Sequence, residues 1–203
     1  PDDVPPDTPP GPDADTATDT TPDLASDAAE IAATGPQVHV DAPTPGYVRG
    51  TIGISAIATG DPEVVQVRFT VDGGLLAEDD TPPWEATWDT TGFDDGDHEL
   101  AAVAYDAADQ SAAAAVTVTV DNTPPDVDFL SPEPGEIQHD EIFLAVDASD
   151  NLELDHVDLW VDGGGEPVEV SEAPWELLYE GAALEAGLHT AFASAADAAG
   201  NES

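Results

Sequence analysis

Two histidines and one set of oxygen donors have residue types and spacings suited to chemistry. His98 lies in GDHELAAVAYDAADQ (Gly96–Gln110) and His189 in GLHTAFASAADAAGN (Gly187–Asn201). In each stretch a glycine stands two residues before the histidine, and a run of small residues closes on Asp-Ala-Ala. Imidazole titrates near neutrality and serves as a metal ligand or general base. Neither histidine has a second histidine at ligand spacing, and no Gly-x-Ser-x-Gly turn accompanies them. A histidine that recurs at one place in two copies reads instead as structural, closing the end of a core with a hydrogen bond to a neighbouring loop. His39, His139 and His156 have no such counterpart and read as surface residues.

The second set is Asp121 and Asn122 of DNTPP, Asp147, Asp150 and Asn151 of DASDN, and Asp197 and Asn201 of DAAGN. Calcium takes about six to eight oxygens at roughly 2.3–2.6 Å. These residues form a cation site only if the fold gathers three separate turns. Otherwise they are solvated acidic turns whose side chains cap their own backbone. Carboxylate pairs as such carry no catalytic signal, because among 45 acidic residues many pairs fall at glycosidase separations by chance.

Composition narrows the partners. The 203 residues hold 45 acidic and 2 basic side chains, Arg49 and Arg68, for a formal charge of -43. That balance argues against nucleic acid, where affinity comes from cations neutralising phosphates, and against an anionic membrane surface. It favours hard cations. Cysteine is absent, so disulfides and thiolate metal sites are excluded. Methionine is absent too, which suggests a processed product or a fragment. No apolar run reaches the roughly 18 residues of a bilayer span.

The elements that must position these residues are short strands in two copies. PQVHVDAPTPG (Pro36–Gly46) matches PDVDFLSPEPG (Pro125–Gly135), VRFTVDGG (Val67–Gly74) matches VDLWVDGG (Val157–Gly164), and PPWEATW (Pro82–Trp88) matches APWELLY (Ala173–Tyr179). Alternation places Ile52, Ile54, Ala56 and Ala58 on one face, and Ile142, Leu144, Val146 and Ala148 on the corresponding one. In VVQVRFTV it sets Val65, Val67, Phe69 and Val71 against Val64, Gln66, Arg68 and Thr70. In the third strand, Val116, Val118 and Val120 oppose Thr117 and Thr119. This period of two is that of half-buried antiparallel strands, with DGG, TPP and DDGD as turns. About seven short strands in each copy, with almost no helical pattern, predict an all-β chain of two tandem β-sandwiches. Trp84 and Trp175, each after a proline, read as core aromatics opening a strand rather than as sugar platforms. Trp160 alternates out of step with Val157, Leu159 and Val161 and is expected on the outer face.

Residues 1–35, rich in Pro, Asp and Thr, read as a disordered acidic tether with at most a helical turn or two in ASDAAEIAA. Domain 1 is expected over 36–122 and domain 2 over 123–203. The counterpart of Ala112–Val120 would fall just past Ser203, so domain 2 is expected to lack its last strand.

DGDHELAAVAYDAADQS, VTVTVDNTPP and DAAGN resemble the bacterial Ig-like domains repeated in secreted and cell-surface proteins. Asp109 and Gln110 depart from that pattern where Gly-Asn is expected. The resemblance implies two tandem Ig-like or fibronectin-III-like β-sandwiches and a spacer or adhesive role outside the cell. In an Ig-type sandwich the start of strand A and the B–C and F–G loops share one end. Asp121, Asn122, Asp147, Asp150, Asn151, Asp197 and Asn201 would then converge where domain 1 meets domain 2, with calcium as the expected ion. The expected role is non-catalytic: a spacer or adhesion segment of a larger surface or secreted protein, tethered to the envelope by its tail. The alternative is an accessory glycan- or substrate-binding domain of a secreted hydrolase. The expected partners are neighbouring domains of the same chain and a surface protein or glycan.

Overall fold

The computed structural model describes residues 35–139, 141–162, 166–180 and 184–203. The tether expected over 1–35 therefore lies, except for Gly35, outside the described residues. Among the described residues the regular elements are β-strands and one short 3-10 turn, Thr90–Gly92.

Domain 1 carries strands β1 (Gln37–Ala42), β2 (Tyr47–Val48), β3 (Thr51–Thr59), β4 (Val64–Val71), β5 (Gly74–Asp79), β6 (Trp84–Asp89), β7 (Gly96–Asp106) and β8 (Ser111–Val120). They form one sheet in the order β1-β3-β6 and a second in the order β2-β8-β7-β4-β5. Domain 2 carries β9 (Asp126–Ser131), β10 (Glu141–Ser149), β11 (Leu154–Val161), β12 (Val168–Val170), β13 (Glu176–Glu180) and β14 (Ala191–Asp197). Its sheets run β13-β10-β9 and β12-β11-β14. The two-faced alternation of each strand explains the layers, because one face of each sheet must be removed from water and the facing sheet removes it.

Between the sheets of domain 1 lie Ile54, Val67, Phe69, Trp88, Leu100, Val118 and Val120, all essentially inaccessible. Burying such side chains stabilises by roughly 1.5–3 kcal/mol each before conformational entropy is subtracted. Domain 2 has a smaller core around Leu144, Val146, Val157, Leu159, Val161 and Ala195. Trp84 is buried, and Trp175 packs partly buried against the second core. Trp160 lies on the outer face, half-buried, stacked on Phe192.

One face assignment is corrected. Strict alternation puts Val65 inside and Val64 outside, but Val64 is 6% exposed and Val65 47%. The pairing of β4 with β7 shifts register between Val64 and Gln66. A bulge adds one residue to one strand and reverses the facing of everything before it. The departure at Asp109, by contrast, leaves the turn intact. Asp109 takes φ 59° where its counterpart Gly200 takes φ 83°, a left-handed conformation that aspartate tolerates better than most residues.

Candidate cation site at the domain joint

The linker between β8 and β9 starts at Asp121 and Asn122, and the structure sends these neighbours in opposite directions. Asp121 is fully buried. Its Oδ1 accepts from the Thr123 amide at 3.2 Å, while Oδ2 is buried and finds no donor among the described residues. Asp150, in the β10–β11 turn, behaves alike: Oδ2 accepts from the Leu152 amide at 2.8 Å and Oδ1 is buried without a donor. Asp197 ends β14 and is 3% exposed; its Oδ1 accepts from the Asn201 amide at 2.8 Å and its Oδ2 from Asn201 Nδ2 at 2.7 Å. One oxygen from each of Asp121, Asp150 and Asp197 lies within 4.8 Å of the other two. Among the described residues no other group of three acidic or histidine side chains approaches this closely.

Such an arrangement costs free energy unless something positive compensates it, because desolvation and like charge both oppose ionisation. Burial first, then the charges of Asp197, Asp150 and Asp95, push the Asp121 carboxyl above the ordinary carboxylate range, against the Thr123 hydrogen bond. Oxygen donors this close, with lone pairs left over, are the first part of a cage for a hard divalent cation.

The remaining expected residues are not in the group. Asn122 faces domain 1: its Oδ1 accepts from the Gly50 amide at 2.8 Å and from Thr90 Oγ1 at 3.2 Å, and its Nδ2 donates to the Thr90 carbonyl at 3.2 Å. Asn151 donates to Asp95 Oδ2 at 3.0 Å. Asn201 supports the group without joining it, since its Nδ2 also donates to the Asp121 carbonyl at 3.0 Å while its Oδ1 accepts from Arg49 at 3.2 Å. Asp147 is exposed in β10, paired opposite Asp128, outside the group.

Sequence reading missed the contribution of domain 1. Asp95 accepts from the Asn122 amide, Thr123 Oγ1 and Asn151 Nδ2. Burial works against its charge, yet these hydrogen bonds hold its pKa below the ordinary value. Tyr47 donates to Glu153 across the joint at 2.9 Å. Arg49 is one of only two basic residues in the chain; the other, Arg68, pairs with Glu78 at 2.6 Å on domain 1. A usable signal was present, because with only two basic residues in so acidic a chain each arginine is a candidate partner for gathered carboxylates.

The histidines lie elsewhere in each sandwich. His98 packs edge-on to Trp88 and Phe93, with Nδ1 2.6 Å from Asp72 and Nε2 2.8 Å from the Asp94 carbonyl. His156, which lacks a counterpart, pairs with neighbouring Asp155.

Two sandwiches in tandem, joined through a buried acidic linker, define an Ig-type module pair. The bacterial Ig domain family matches residues 36–102 and again 125–193, and the chain belongs to that family. Domains of this fold are typically extracellular and non-catalytic. Among solved structures the chain is similar to the fibronectin(III)-like modules of Clostridium thermocellum CbhA, at 26% identity and a TM-score of 0.55, over 82% of this chain and 89% of that one. Weaker likenesses are to the first three domains of the bacteriophage RB49 outer capsid protein Hoc (12% identity, TM-score 0.46, 80% of this chain and 61% of that one) and to chicken CNTN1 FN1-FN3 (12%, 0.41, 83% and 61%). No curated protein matches the chain. Among the described residues, no helix is long and apolar enough to cross a membrane.

Proposed function

We propose that this chain is a non-catalytic spacer segment of a secreted or surface protein, and that calcium bound by Asp121, Asp150 and Asp197 sets the angle between its two domains. The observation that carries this reading is the fully buried Asp121, whose Oδ2 has no donor and whose nearest charges are two more carboxylates. Asp121 belongs to the linker, while Asp150 and Asp197 belong to domain 2. A cation shared among them pins the linker to domain 2. Asn122, through Gly50 and Thr90, pins it to domain 1. With both clamps closed the pair is a stiff rod; without the cation, carboxylate repulsion favours opening of the domain 2 side. Prolines 124 and 125 further limit bending.

The experiment is calcium titration followed by calorimetry, thermal melting and small-angle scattering. Calcium in large excess over its Kd should stabilise the folded state through mass action, by about 2.7 kcal/mol at a hundredfold excess, and should narrow the spread of inter-domain distances. No heat, and no melting shift beyond that of sodium chloride at equal ionic strength, would overturn the reading.

A second reading, an accessory glycan-binding module, rests on Trp160 and Phe192. They stack at 5.4 Å on the outer face of domain 2, where domain 1 carries the paired Thr70 and Ala101. The sandwich therefore does not need aromatics there, and a half-buried aromatic pair on an outer sheet face suits the apolar face of a sugar. Retardation of the chain by soluble β-glucans in affinity electrophoresis, abolished by Trp160→Ala, supports this reading; unretarded migration across a glycan panel removes it.

A further inference from the structure

Domain 1 reaches the acidic group by a path that bypasses the linker. The short connection between β2 and β3 carries Arg49 and Gly50. Its backbone is fixed against the start of the linker, because the Asp121 amide donates to the Val48 carbonyl at 3.0 Å and β2 pairs with β8 at Tyr47 and Val48. From there the Arg49 guanidinium crosses the joint and donates through Nη1 to Asn201 Oδ1 at 3.2 Å. It lies over the turn at Gly200, φ 83°, where a Cβ would stand 3.8 Å from Nε and Nη2. Asn201 is 6% exposed and engaged at every polar group. Its backbone amide and Nδ2 donate to the two Asp197 oxygens at 2.8 and 2.7 Å, Nδ2 also donates to the Asp121 carbonyl at 3.0 Å, and its own carbonyl accepts from the Asp197 amide at 3.1 Å.

We propose that Arg49 is a positioning residue for the cation site: it holds the Asn201 amide in one orientation, and through it the Asp121 and Asp197 oxygens, so that cation binding and docking of domain 1 strengthen each other. This inference rests on the cation reading and adds its regulation. The Asn201 side chain has one orientation that satisfies its neighbours. Nδ2 meets two acceptors and Oδ1 meets a donor; turned over, Oδ1 would face the Asp197 carboxylate and the Asp121 carbonyl, and Nδ2 the guanidinium. Arginine, which donates and cannot accept, enforces the first arrangement. The Asp197 oxygens are then held in place, each with a further lone pair for a metal. The contacts from Val48 to Asp121, Asp121 to Asn201 and Asn201 to Arg49 close a ring, so a displacement of domain 1 displaces Asn201 and the oxygens it holds. Linkage requires the converse: a cation that fixes those oxygens favours the docked domain by the same factor by which docking favours the cation. The charge of Arg49 acts in the opposite sense, by repelling an incoming cation, but the side chain is exposed and solvent screens that repulsion.

The test compares the whole chain with its variants Arg49→Met and Arg49→Lys, by calcium calorimetry and by small-angle scattering with and without calcium. Arg49→Met keeps the length of the side chain and removes its donors and charge. It should weaken calcium about three- to tenfold and abolish most of the calcium-dependent narrowing of inter-domain distances. Arg49→Lys, which retains a donor, should recover most of both. The proposal is overturned if Arg49→Met binds calcium as tightly as the parent or more tightly, which would make the guanidinium a competing charge or a bystander. It is equally overturned if Arg49→Met loses affinity yet narrows on calcium as the parent does. Both results leave the cation reading standing, whereas a parent chain that takes up no calcium removes that reading and this inference with it.

Discussion

His98 donates through Nδ1 to the Asp72 carboxylate at 2.6 Å, and domain 2 repeats the contact between His189 and Asp162 at 2.8 Å. The turn creates it. Asp72 at φ 50° and Gly73 at φ 77° form the tight left-handed connection of the β4–β5 hairpin, and Asp162 takes φ 58°. Nε2 of each imidazole meets a carbonyl, of Asp94 or Glu185, so the protonated ring satisfies both acceptors.

This pairing has a definite pH signature. Burial opposes the charge on His98, but the Asp94 carbonyl and the Asp72 carboxylate outweigh it and raise the pKa; at His189 the Asp162 carboxylate leads the same upward shift. A raised histidine pKa contributes stability that is fully present below the unfolded value, about 6.5, and is lost as pH rises through the folded value. The pKa values of Asp72 and Asp162 are lowered, first by hydrogen bonds from His98 and His189. Their contribution is present above the unfolded carboxylate value and lost as pH falls through the folded one. Urea midpoints should therefore be highest between about pH 4 and 6.5 and decline toward pH 8.5. The double variant His98→Gln, His189→Gln should flatten that decline; an unchanged pH profile in the variant would assign the decline to other groups.

Asp121→Asn separates repulsion from binding in one protein. Because the Asp121 pKa is raised, chiefly by burial and then by the neighbouring carboxylates, its charge destabilises the metal-free fold increasingly as pH climbs above the unfolded carboxylate value. The amide removes that charge, so the variant should melt higher than the parent at pH 7 in chelator. It should also lose most of the stabilisation by calcium. A variant that melts lower in chelator would mean that the Asp121 carboxylate is already compensated within the protein.

Asn122→Ala should act on domain 1. It removes hydrogen bonds to the Gly50 amide, Thr90 Oγ1 and the Thr90 carbonyl. Net losses of about 1 kcal/mol per bond, partly recovered by water, give roughly 2 kcal/mol. Chemical denaturation of the variant should show the domain 1 transition shifted and the domain 2 transition little changed.

The bulge in β4 is testable by two substitutions side by side. Val64→Ala empties a buried site and should cost about 2 kcal/mol. Val65→Ser alters an exposed residue and should stay within about 0.5 kcal/mol. The reverse order would restore strict alternation.

Salt should stabilise the chain. Two carboxylates ~7 Å apart in water repel by roughly 0.6 kcal/mol, and across a lysine-free surface many such terms add. Screening shortens their reach from ~30 Å at 0.01 M to ~3 Å at 1 M. Melting at pH 7 should therefore rise between low salt and 1 M sodium chloride. A fall would show that paired carboxylates, such as Glu78 with Arg68, govern stability instead.

The period of two, the repeat, the Asp-Gly turns and so the paired sandwiches were legible in the sequence, because alternation and turn chemistry are local properties of the chain. The sequence also marked Asp121, Asp150 and Asp197, since an Ig-type topology brings those three turns to one end. That Val64 rather than Val65 is inside depends on strand pairing, because a bulge is a mismatch between two strands and neither strand records it alone. Packing in three dimensions likewise turns Asn122 to Gly50, Asn151 to Asp95 and Asn201 to Arg49, while Asp147 stays apart. These side chains answer to partners 56 to 152 residues away, across a joint whose angle no local pattern encodes. Asp121 and Asn122 are neighbours of similar size and polarity, and the linker's path between two packed domains is what sends one into the acidic cluster and the other into domain 1.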